Sequence, residues 1–419
     1  MSNKKELVKN LISFGAIDLL GLLIPIITMP ILTRALGPSQ YGELLLLLTM
    51  LYFGHTIIDY GTQFTAVRKL ARARGQNNSV NSIYSDTQSL RIILCALYLT
   101  GISLYCLFLS LDNMLNYVLA AGSFYLIGYT LTSAWFFQGI GSVEQLMKVS
   151  LTAKSINLIV IVFFVSEPKD LNIAIAATCL PMFFSGIFLA AYAHQRYKLS
   201  LPKFNNLSIS LREGGNVFLG LLAPNLYNAI PTIALGTIFP ASEFANFAIA
   251  SRLASVIVTI QEVLAKSVYP ILARVKESQV NKLLLANGLV SLVPIIVLYF
   301  LGEWILNTFL GRGFEGVNKY LVIFSIGVLF IGLSNAFSKG YFLPNGLDNV
   351  YRDVSLRISL ISAILCACSI YQFGLLGAAI SILLARFLFF ADYLIAYRRL
   401  IKRQRRVFKP IFKSSEKEK

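Results

Sequence analysis

The chain has 419 residues, of which 56% are hydrophobic and only 14% are charged, whereas about 25% are charged in a typical soluble domain. So few polar residues cannot cover the surface of a soluble protein of this length, which excludes the soluble globular classes. The formal net charge of +17 would favour a nucleic-acid ligand in a soluble protein. Here most basic residues lie in short connections and in the C-terminal tail, so we predict no nucleic-acid partner.

Apolar segments of about 20 residues follow one another along the chain, each long enough to cross roughly 30 Å of bilayer hydrocarbon as a helix. The sequence therefore predicts an all-α polytopic membrane protein with about twelve transmembrane helices. The first segment has no small-residue cleavage pattern, and we interpret it as a retained helix. The predicted spans are residues 11–33, 43–66, 90–110, 114–136, 147–166, 171–194, 215–238, 243–270, 284–302, 319–341, 354–372 and 375–397.

The basic residues are distributed unevenly between the two sides of the predicted membrane. The N-terminus, every second connection and the tail hold most of them, ten in the tail 398–419 alone. The other side holds only Arg34, Lys169, Arg312 and Lys319. The positive-inside rule then places both termini in the cytoplasm.

Three landmarks repeat at a nearly constant offset, which predicts two halves of six helices each. Leu-Gly-Pro-Ser-Gln-Tyr-Gly at 36–42 corresponds to Phe-Pro-Ala-Ser-Glu-Phe-Ala at 239–245, and the segments that open spans 5 and 6 correspond to those that open spans 11 and 12. Because six is an even number, the halves run parallel, as in one class of transporters. We predict bundles at 1–211 and 212–397 and a basic cytoplasmic tail at 398–419.

Charged residues within the predicted spans are candidates for function, because each costs on the order of 2.5–3.5 kcal/mol at a helix centre and needs compensation. Arg252 and Arg386 lie too deep to reach the interface easily, and Lys154 lies about two turns inside span 5. These three are the candidate substrate-binding residues of a cationic cavity. The charged residues within the predicted spans are Asp18, Asp59, Lys154, Arg252, Glu262, Lys266, Lys339, Arg357, Arg386 and Asp392.

The remaining charges have more local interpretations. Asp18 and Asp59 are either counter-ions to the cavity cations or ion-coupling carboxylates. Glu262 and Lys266 stand at i,i+4 and are predicted to form a local pair. Arg357, close to the cytoplasmic end of its span, is predicted to snorkel to the interface.

Prolines occupy matching positions in the first helix of each half: Pro25 and Pro30 in span 1, and Pro224 and Pro231 in span 7. A proline inside a helix frees a carbonyl and bends the helix. Bends at matching positions indicate a cavity or a hinge, although kinks are also common in membrane helices that have neither role.

The sequence contains no Walker A loop, no His-Glu-x-x-His and no Cys-x-x-Cys. We therefore predict no metal site, no cofactor and no enzymatic activity. A chain without a nucleotide site cannot use ATP directly, so any transport must run on gradients or on downhill flow of the substrate. His55 and His194 are interpreted as polar packing groups.

Four motifs resemble one known family: residues 30–42 (Pro-Ile-Leu-Thr-Arg-Ala-Leu-Gly-Pro-Ser-Gln-Tyr-Gly), 59–61 (Asp-Tyr-Gly), 135–139 (Trp-Phe-Phe-Gln-Gly) and 268–274 (Val-Tyr-Pro-Ile-Leu-Ala-Arg). Their order and spacing resemble the bacterial polysaccharide transporters, which include the Wzx-type O-antigen flippases of the multidrug/oligosaccharidyl-lipid/polysaccharide (MOP) exporter superfamily. The likeness covers essentially the whole chain.

The resemblance implies a flippase in the bacterial inner membrane that moves an undecaprenyl-pyrophosphate-linked oligosaccharide between leaflets by alternating access. It also implies a V-shaped pair of bundles around a cationic cavity, with membrane lipid, a polysaccharide polymerase and the chain-length machinery as partners. Two alternatives stay open at this point. One is a MATE-like (multidrug and toxic compound extrusion) antiporter of organic cations, for which acidic cavity groups are expected. The other is a membrane O-antigen polymerase or glycosyltransferase, which needs larger extramembrane loops than these.

Overall fold

The computed structural model describes most of the chain. Its backbone is described for residues 3–73, 77–204, 207–272, 280–311, 313–342, 345 and 347–415. Its side chains are described for residues 24–70, 72–73, 79–204, 207–215, 217–261, 280–311, 313–342, 345, 347 and 349–402. Asp18, Glu262 and Lys266 lie outside the described side chains, so the interpretations of these three residues remain predictions.

The described residues fold into α-helices joined by short connections. The helices are α1 (Asn3–Asp59), α2 (Thr62–Arg72), α3 (Asn77–Phe108), α4 (Asp112–Tyr117), α5 (Ser123–Thr132), α6 (Ala134–Ile140), α7 (Val143–Phe164), α8 (Leu171–Tyr197), α9 (Leu207–Leu222), α10 (Ala229–Ile238), α11 (Ala241–Leu272), α12 (Val280–Leu310), α13 (Val317–Phe337) and α14 (Asp348–Ser415).

Ten helical stretches of the described chain are long and apolar enough to cross a membrane. The two longest stretches, Ile24–Asp59 and Asn349–Lys402, are each divided by a glycine with a positive φ, Gly37 (φ 70°) in α1 and Gly374 (φ 57°) in α14. Glycine adopts a positive φ without the steric cost that a Cβ imposes, which is why the breaks occur there. Counting both sides of each break gives twelve segments, so the predicted all-α polytopic membrane fold is confirmed.

Span 2 was predicted to continue to residue 66, and this is wrong. The helix ends at Asp59, because Tyr60 (φ 44°) and Gly61 (φ 76°) both adopt the left-handed conformation. After this turn α2 starts at Thr62 as a separate amphipathic helix, which buries Ala66 and Leu70.

Of the four prolines, only Pro224 lies at an interruption of a helix, and bends at the other positions remain predictions. Span 7 is interrupted between α9 and α10, where Pro224 lies in a short 3₁₀ turn, Ala223–Leu226. The Asn225 side-chain amide donates to the carbonyl of Leu221 at 3.0 Å, which satisfies a carbonyl at the end of α9. Pro231 lies in the first turn of α10, where no intrahelical N–H is required. Pro25 and Pro30 lie within the continuous first part of α1.

The chain divides into two compact units, Met1–Ala248 with Leu306–Glu315, and Ile249–Ile305 with Gly316–Lys419. These units are defined by packing, whereas the predicted bundles 1–211 and 212–397 were defined by repeated sequence. The predicted bundle boundaries and the tail from 398 therefore remain predictions.

The first unit is held together by backbone contact and by an aromatic core. A Cβ placed on Gly128 of α5 would lie 2.5 Å from Phe183 Cα of α8, and one on Gly186 would lie 2.2 Å from the Gly128 carbonyl oxygen. Small residues allow such close approach of membrane helices. Next to this contact, Tyr84, Trp135, Phe136 and Phe137 form a buried cluster beneath α2. Together these contacts fix α5, which carries Tyr129 of the site below.

Candidate functional site

A buried ion pair lies in the first unit, at the point where α1 ends. Arg91 of α3 donates through Nη1 to Oδ1 of Asp59, and the Tyr129 hydroxyl of α5 donates to Oδ2 of the same carboxylate. The Arg91 side chain is only 3% exposed and that of Asp59 17%. One carboxylate thus joins three helices, α1, α3 and α5.

Further hydrogen bonds orient the guanidinium group. Arg91 Nη2 donates to the Tyr129 backbone carbonyl at 3.2 Å, and Nη1 lies 3.5 Å from Thr62 Oγ1 at the start of α2. Arg91 Nε is buried and has no hydrogen-bond partner among the described residues. An unsatisfied buried donor is uncommon in folded proteins, and it marks this guanidinium as a group to examine for function.

His55 lies one helical turn before Asp59 in α1 and packs against α5. Its ring stacks on Tyr129 with centroids 3.6 Å apart and planes 10° apart, and its centroid is 5.5 Å from that of Tyr125. His55 Nε2 is buried without a hydrogen-bond partner in the described part of the chain. We call His55, Asp59, Arg91 and Tyr129 the α1–α3–α5 cluster.

Electrostatics explain why the cluster needs its cation. Asp59 ends its helix, where the helix dipole is unfavourable to a negative charge, so the backbone does not compensate the carboxylate. Arg91 supplies that compensation directly. A pair this buried is costly to break, because removing one partner leaves an uncompensated charge in a low-dielectric region.

Sequence reasoning identified Asp59 but missed Arg91. Span 3 was predicted to begin at residue 90, so Arg91 looked like a basic residue at the membrane edge. In the structure α3 begins at Asn77, fourteen residues before Arg91. Residues 77–89 were interpreted as a polar connection because they are not apolar, but they form the first part of α3. Arg91 therefore lies well inside the helix.

The three predicted cavity cations are all partly buried. Lys154 lies on α7 in the first unit, and Arg252 on α11 and Arg386 on α14 lie in the second. Arg386 Nη1 donates to the Phe324 carbonyl at 3.3 Å, and its guanidinium carbon is 5.9 Å from the Phe324 ring centroid. That these cations converge on one cavity remains a prediction.

Two features of the second unit were not expected. Arg357 pairs with Asp392, which accepts from its Nε at 3.1 Å and also from Nη2, while its predicted snorkelling to the interface remains a prediction. Gln261 of α11 is fully buried and donates to Ser291 Oγ at 2.6 Å. This amide network carries no formal charge, so a search for charged residues within spans could not find it.

Comparison with known proteins gives the family. The model of the family described as "Polysaccharide biosynthesis protein" matches residues 7–276. A Shigella dysenteriae protein described as "Putative O-antigen transporter" is 24% identical over 90% of this chain and 96% of its own length. A protein of Escherichia coli K12 with the same description is 26% identical over 91% of this chain and 94% of its own.

Solved structures show the same fold at low sequence identity. An inward-facing MATE-family multidrug resistance transporter of the MOP superfamily superposes with a TM-score of 0.72 at 15% identity, covering 91% of this chain and 96% of its own. The lipid II flippase MurJ superposes with a TM-score of 0.67 at 13% identity, covering 92% and 87%. The predicted resemblance is confirmed: this multi-pass membrane chain belongs to the polysaccharide biosynthesis protein family, on the fold of the MOP-superfamily transporters.

Proposed function

We propose that this protein is a flippase that moves an O-antigen repeat unit, carried on undecaprenyl pyrophosphate, from the cytoplasmic to the periplasmic leaflet of the bacterial inner membrane. The observation that carries the proposal is the match, along at least 90% of both chains, to two proteins described as O-antigen transporters. Alternating access is the mechanism we propose, with both termini in the cytoplasm. A polysaccharide polymerase and the chain-length machinery would act on the product.

The substrate chemistry accounts for the partly buried cations. A pyrophosphate is anionic, and a cation held out of water attracts it more strongly than a solvated one does. We propose that Lys154, Arg252 and Arg386 attract the pyrophosphate while the lipid crosses the membrane. Guanidinium groups suit this task because they bind phosphate through two parallel hydrogen bonds.

Asp59 has a different role in this proposal. Arg91 and Tyr129 both donate to its carboxylate, so we propose that it is the counter-ion of Arg91 rather than a carrier of a coupling ion. The α1–α3–α5 cluster would then fix the end of α1 relative to α3 and α5 during transport. The role of Asp18 as a counter-ion or coupling group stays a separate hypothesis.

Export in a strain that lacks its own O-antigen flippase tests the proposal. Wild-type protein should restore surface O-antigen, while Arg252→Ala and Arg386→Ala should lower export but insert normally, because removing a charge lowers the cost of insertion. Lysine at either position should restore export in part, since it keeps the charge but loses the bidentate geometry. Arg352→Ala is the matched control, because Arg352 is exposed and pairs with the adjacent Asp353.

The same strain separates the proposal from its alternatives. A MATE-like antiporter would raise resistance to organic cations and leave O-antigen export unrestored. A polymerase or glycosyltransferase would change the length or composition of the glycan while lipid-linked repeat units still reached the periplasm. Wild-type export by both alanine variants at normal expression would contradict the role proposed for the two arginines.

A further inference from the structure

An elongated groove runs along the first unit between α7 and α8. Its volume is about 820 Å³, and its walls include Val149, Ala153 and Val160 of α7 and Ala176, Leu180 and Phe184 of α8. We call it the α7–α8 groove. Beside it, Ile159, Phe163 and Ile187 are exposed apolar side chains. Exposed apolar residues on a membrane helix are expected to face lipid, so the groove opens towards the bilayer.

Small residues form the floor of the groove, and its two walls are joined by a hydrogen bond. Pro181 has no N–H, so it cannot hydrogen-bond the Ala177 carbonyl one turn earlier in α8. Asn157 of α7 supplies that bond instead, its Nδ2 donating to the Ala177 carbonyl at 2.9 Å. The proline thus frees a carbonyl that joins the two helices, and Ala153 and Ala177 leave space beside the joint.

One end of the groove is polar and carries a positive charge. Gln145, Lys148 and Thr152 line it where α7 begins, which is the cytoplasmic end in the predicted topology. Lys148 pairs with Glu144 at 3.0 Å, but both side chains are largely exposed. Exposed i,i+4 pairs contribute little, so this one would compete weakly with a phosphate for the ammonium group. Apart from Asn172 and Ser185, the remaining lining residues are apolar.

The length of the groove indicates which lipid it fits. From Lys148 the lining continues to Val160 on α7, about 18 Å along the helix, and on α8 it extends from residue 172 to residue 188, about 24 Å. One leaflet of hydrocarbon is only about 15 Å deep. A phospholipid with its headgroup at Lys148 would therefore leave the far end empty, whereas a longer single chain would fill it.

We propose that the α7–α8 groove binds the chain of a polyprenyl phosphate, with the phosphate at Lys148 and the isoprenoid chain along the alanine floor. The inference rests on the proposed function and deepens it, since it assigns the carrier lipid a binding site that precedes the contact of its pyrophosphate with Lys154, Arg252 and Arg386. When the phosphate leaves Lys148 and the glycan crosses, the isoprenoid chain would remain along the surface of the first unit.

Photolabelling tests the groove separately from transport. Purified protein in phosphatidylcholine nanodiscs is labelled with undecaprenyl phosphate that carries a diazirine on its chain, and cross-linked peptides are mapped by mass spectrometry. Wild-type labelling should fall on α7 and α8. Ala153→Trp fills the groove and should lower labelling about tenfold. Ser155→Trp is the control and should label like wild type, because it places the same ring on an exposed position of α7 outside the lining. Ala176→Trp, on the facing helix, replaces Ala153→Trp if that variant fails to insert.

Two further arms test the charge and the type of lipid. Lys148→Gln should weaken labelling about fivefold, while Arg196→Gln, which removes an exposed charge from the same side, should not. Unlabelled undecaprenyl phosphate should compete, and phosphatidylglycerol at equal concentration should not. Equal competition by phosphatidylglycerol, or unchanged labelling in both tryptophan variants, would overturn the proposal.

Flipping of a lipid-linked oligosaccharide is measured in the same preparations so that the two proposals can fail independently. If wild-type protein flips the lipid and the tryptophan variants that fill the groove are labelled like wild type, the lipid site in the groove is refuted and the flippase proposal is not. Loss of labelling in those variants without any wild-type flipping would support the groove and refute the flippase.

Discussion

The ion pair between Asp59 and Arg91 should be among the strongest local contributions to the stability of the first unit. Arg91→Ala leaves the Asp59 carboxylate with the Tyr129 hydroxyl as its only remaining donor among those described. Asp59→Asn leaves a guanidinium group that is 3% exposed without its counter-charge. Removing one partner of such a buried pair costs about 3–5 kcal/mol in free energy of unfolding.

Removing both partners should cost less than the sum of the single changes. Asp59→Asn/Arg91→Ala removes both charges, so neither is left uncompensated, and we expect a coupling energy of about 2 kcal/mol between the sites. The pair of Lys69 and Glu213 is the matched control, since its side chains are 45% and 42% exposed. Its cycle should give less than about 1 kcal/mol.

Unfolding by SDS in mixed micelles provides the assay. The chain has two tryptophans, and Trp135 lies in the aromatic core of the first unit while Trp304 is exposed. In a Trp304→Phe background the fluorescence of Trp135 reports on that core alone. Single variants that lose less than about 1 kcal/mol and add without coupling would show that the pair does not hold the three helices together.

Three further predictions concern packing, topology and coupling. Gly128→Ala should strongly lower the yield of folded protein, because its Cβ would collide with the α8 backbone. Gly101→Ala is the control and should keep the wild-type yield, because a Cβ there meets open space; size-exclusion chromatography measures the folded fraction of both variants. In a Cys368→Ser background, which removes an exposed native thiol, a cysteine at Asp112 should react with an impermeant maleimide on intact cells. A cysteine at Ser200 should react only after lysis, and the reverse pattern would show that the predicted topology is inverted. Export by Asp59→Asn should respond to an imposed pH gradient as wild-type export does, and selective loss of the gradient response in this variant would make Asp59 a coupling group instead.

Sequence patterns predicted the membrane helices well because hydropathy and span length are local properties. The turn after Asp59 was missed because Tyr60 adopts a positive φ, which is uncommon for an aromatic residue; Gly61 was the only local cue. The sequence predicted a bend at Pro224, where the structure shows an interruption of the helix. Pro25 and Pro30 lie within a continuous helix, so a proline alone does not specify an interruption.

The site was harder to predict because it depends on which helices meet. Asp59 was recognisable as a charge within a span, but its partner lies 32 residues away on a helix whose start was misjudged. The buried amide of Gln261 left no signal in a search for charges, since its partner Ser291 is recognised only once α11 and α12 are packed. Pairings between helices depend on tertiary packing, which periodicity along one helix does not specify.

Flipping by purified protein tests the central proposal most directly. Proteoliposomes are loaded with a fluorescent undecaprenyl-pyrophosphate oligosaccharide on both leaflets, and dithionite is added outside to quench the outer label. Wild-type protein should move most of the protected label to the outer leaflet, where dithionite quenches it. Arg386→Ala should slow this exchange, and the control Arg352→Ala should leave its rate unchanged. Wild-type proteoliposomes that retain as much protected label as protein-free liposomes would contradict the account.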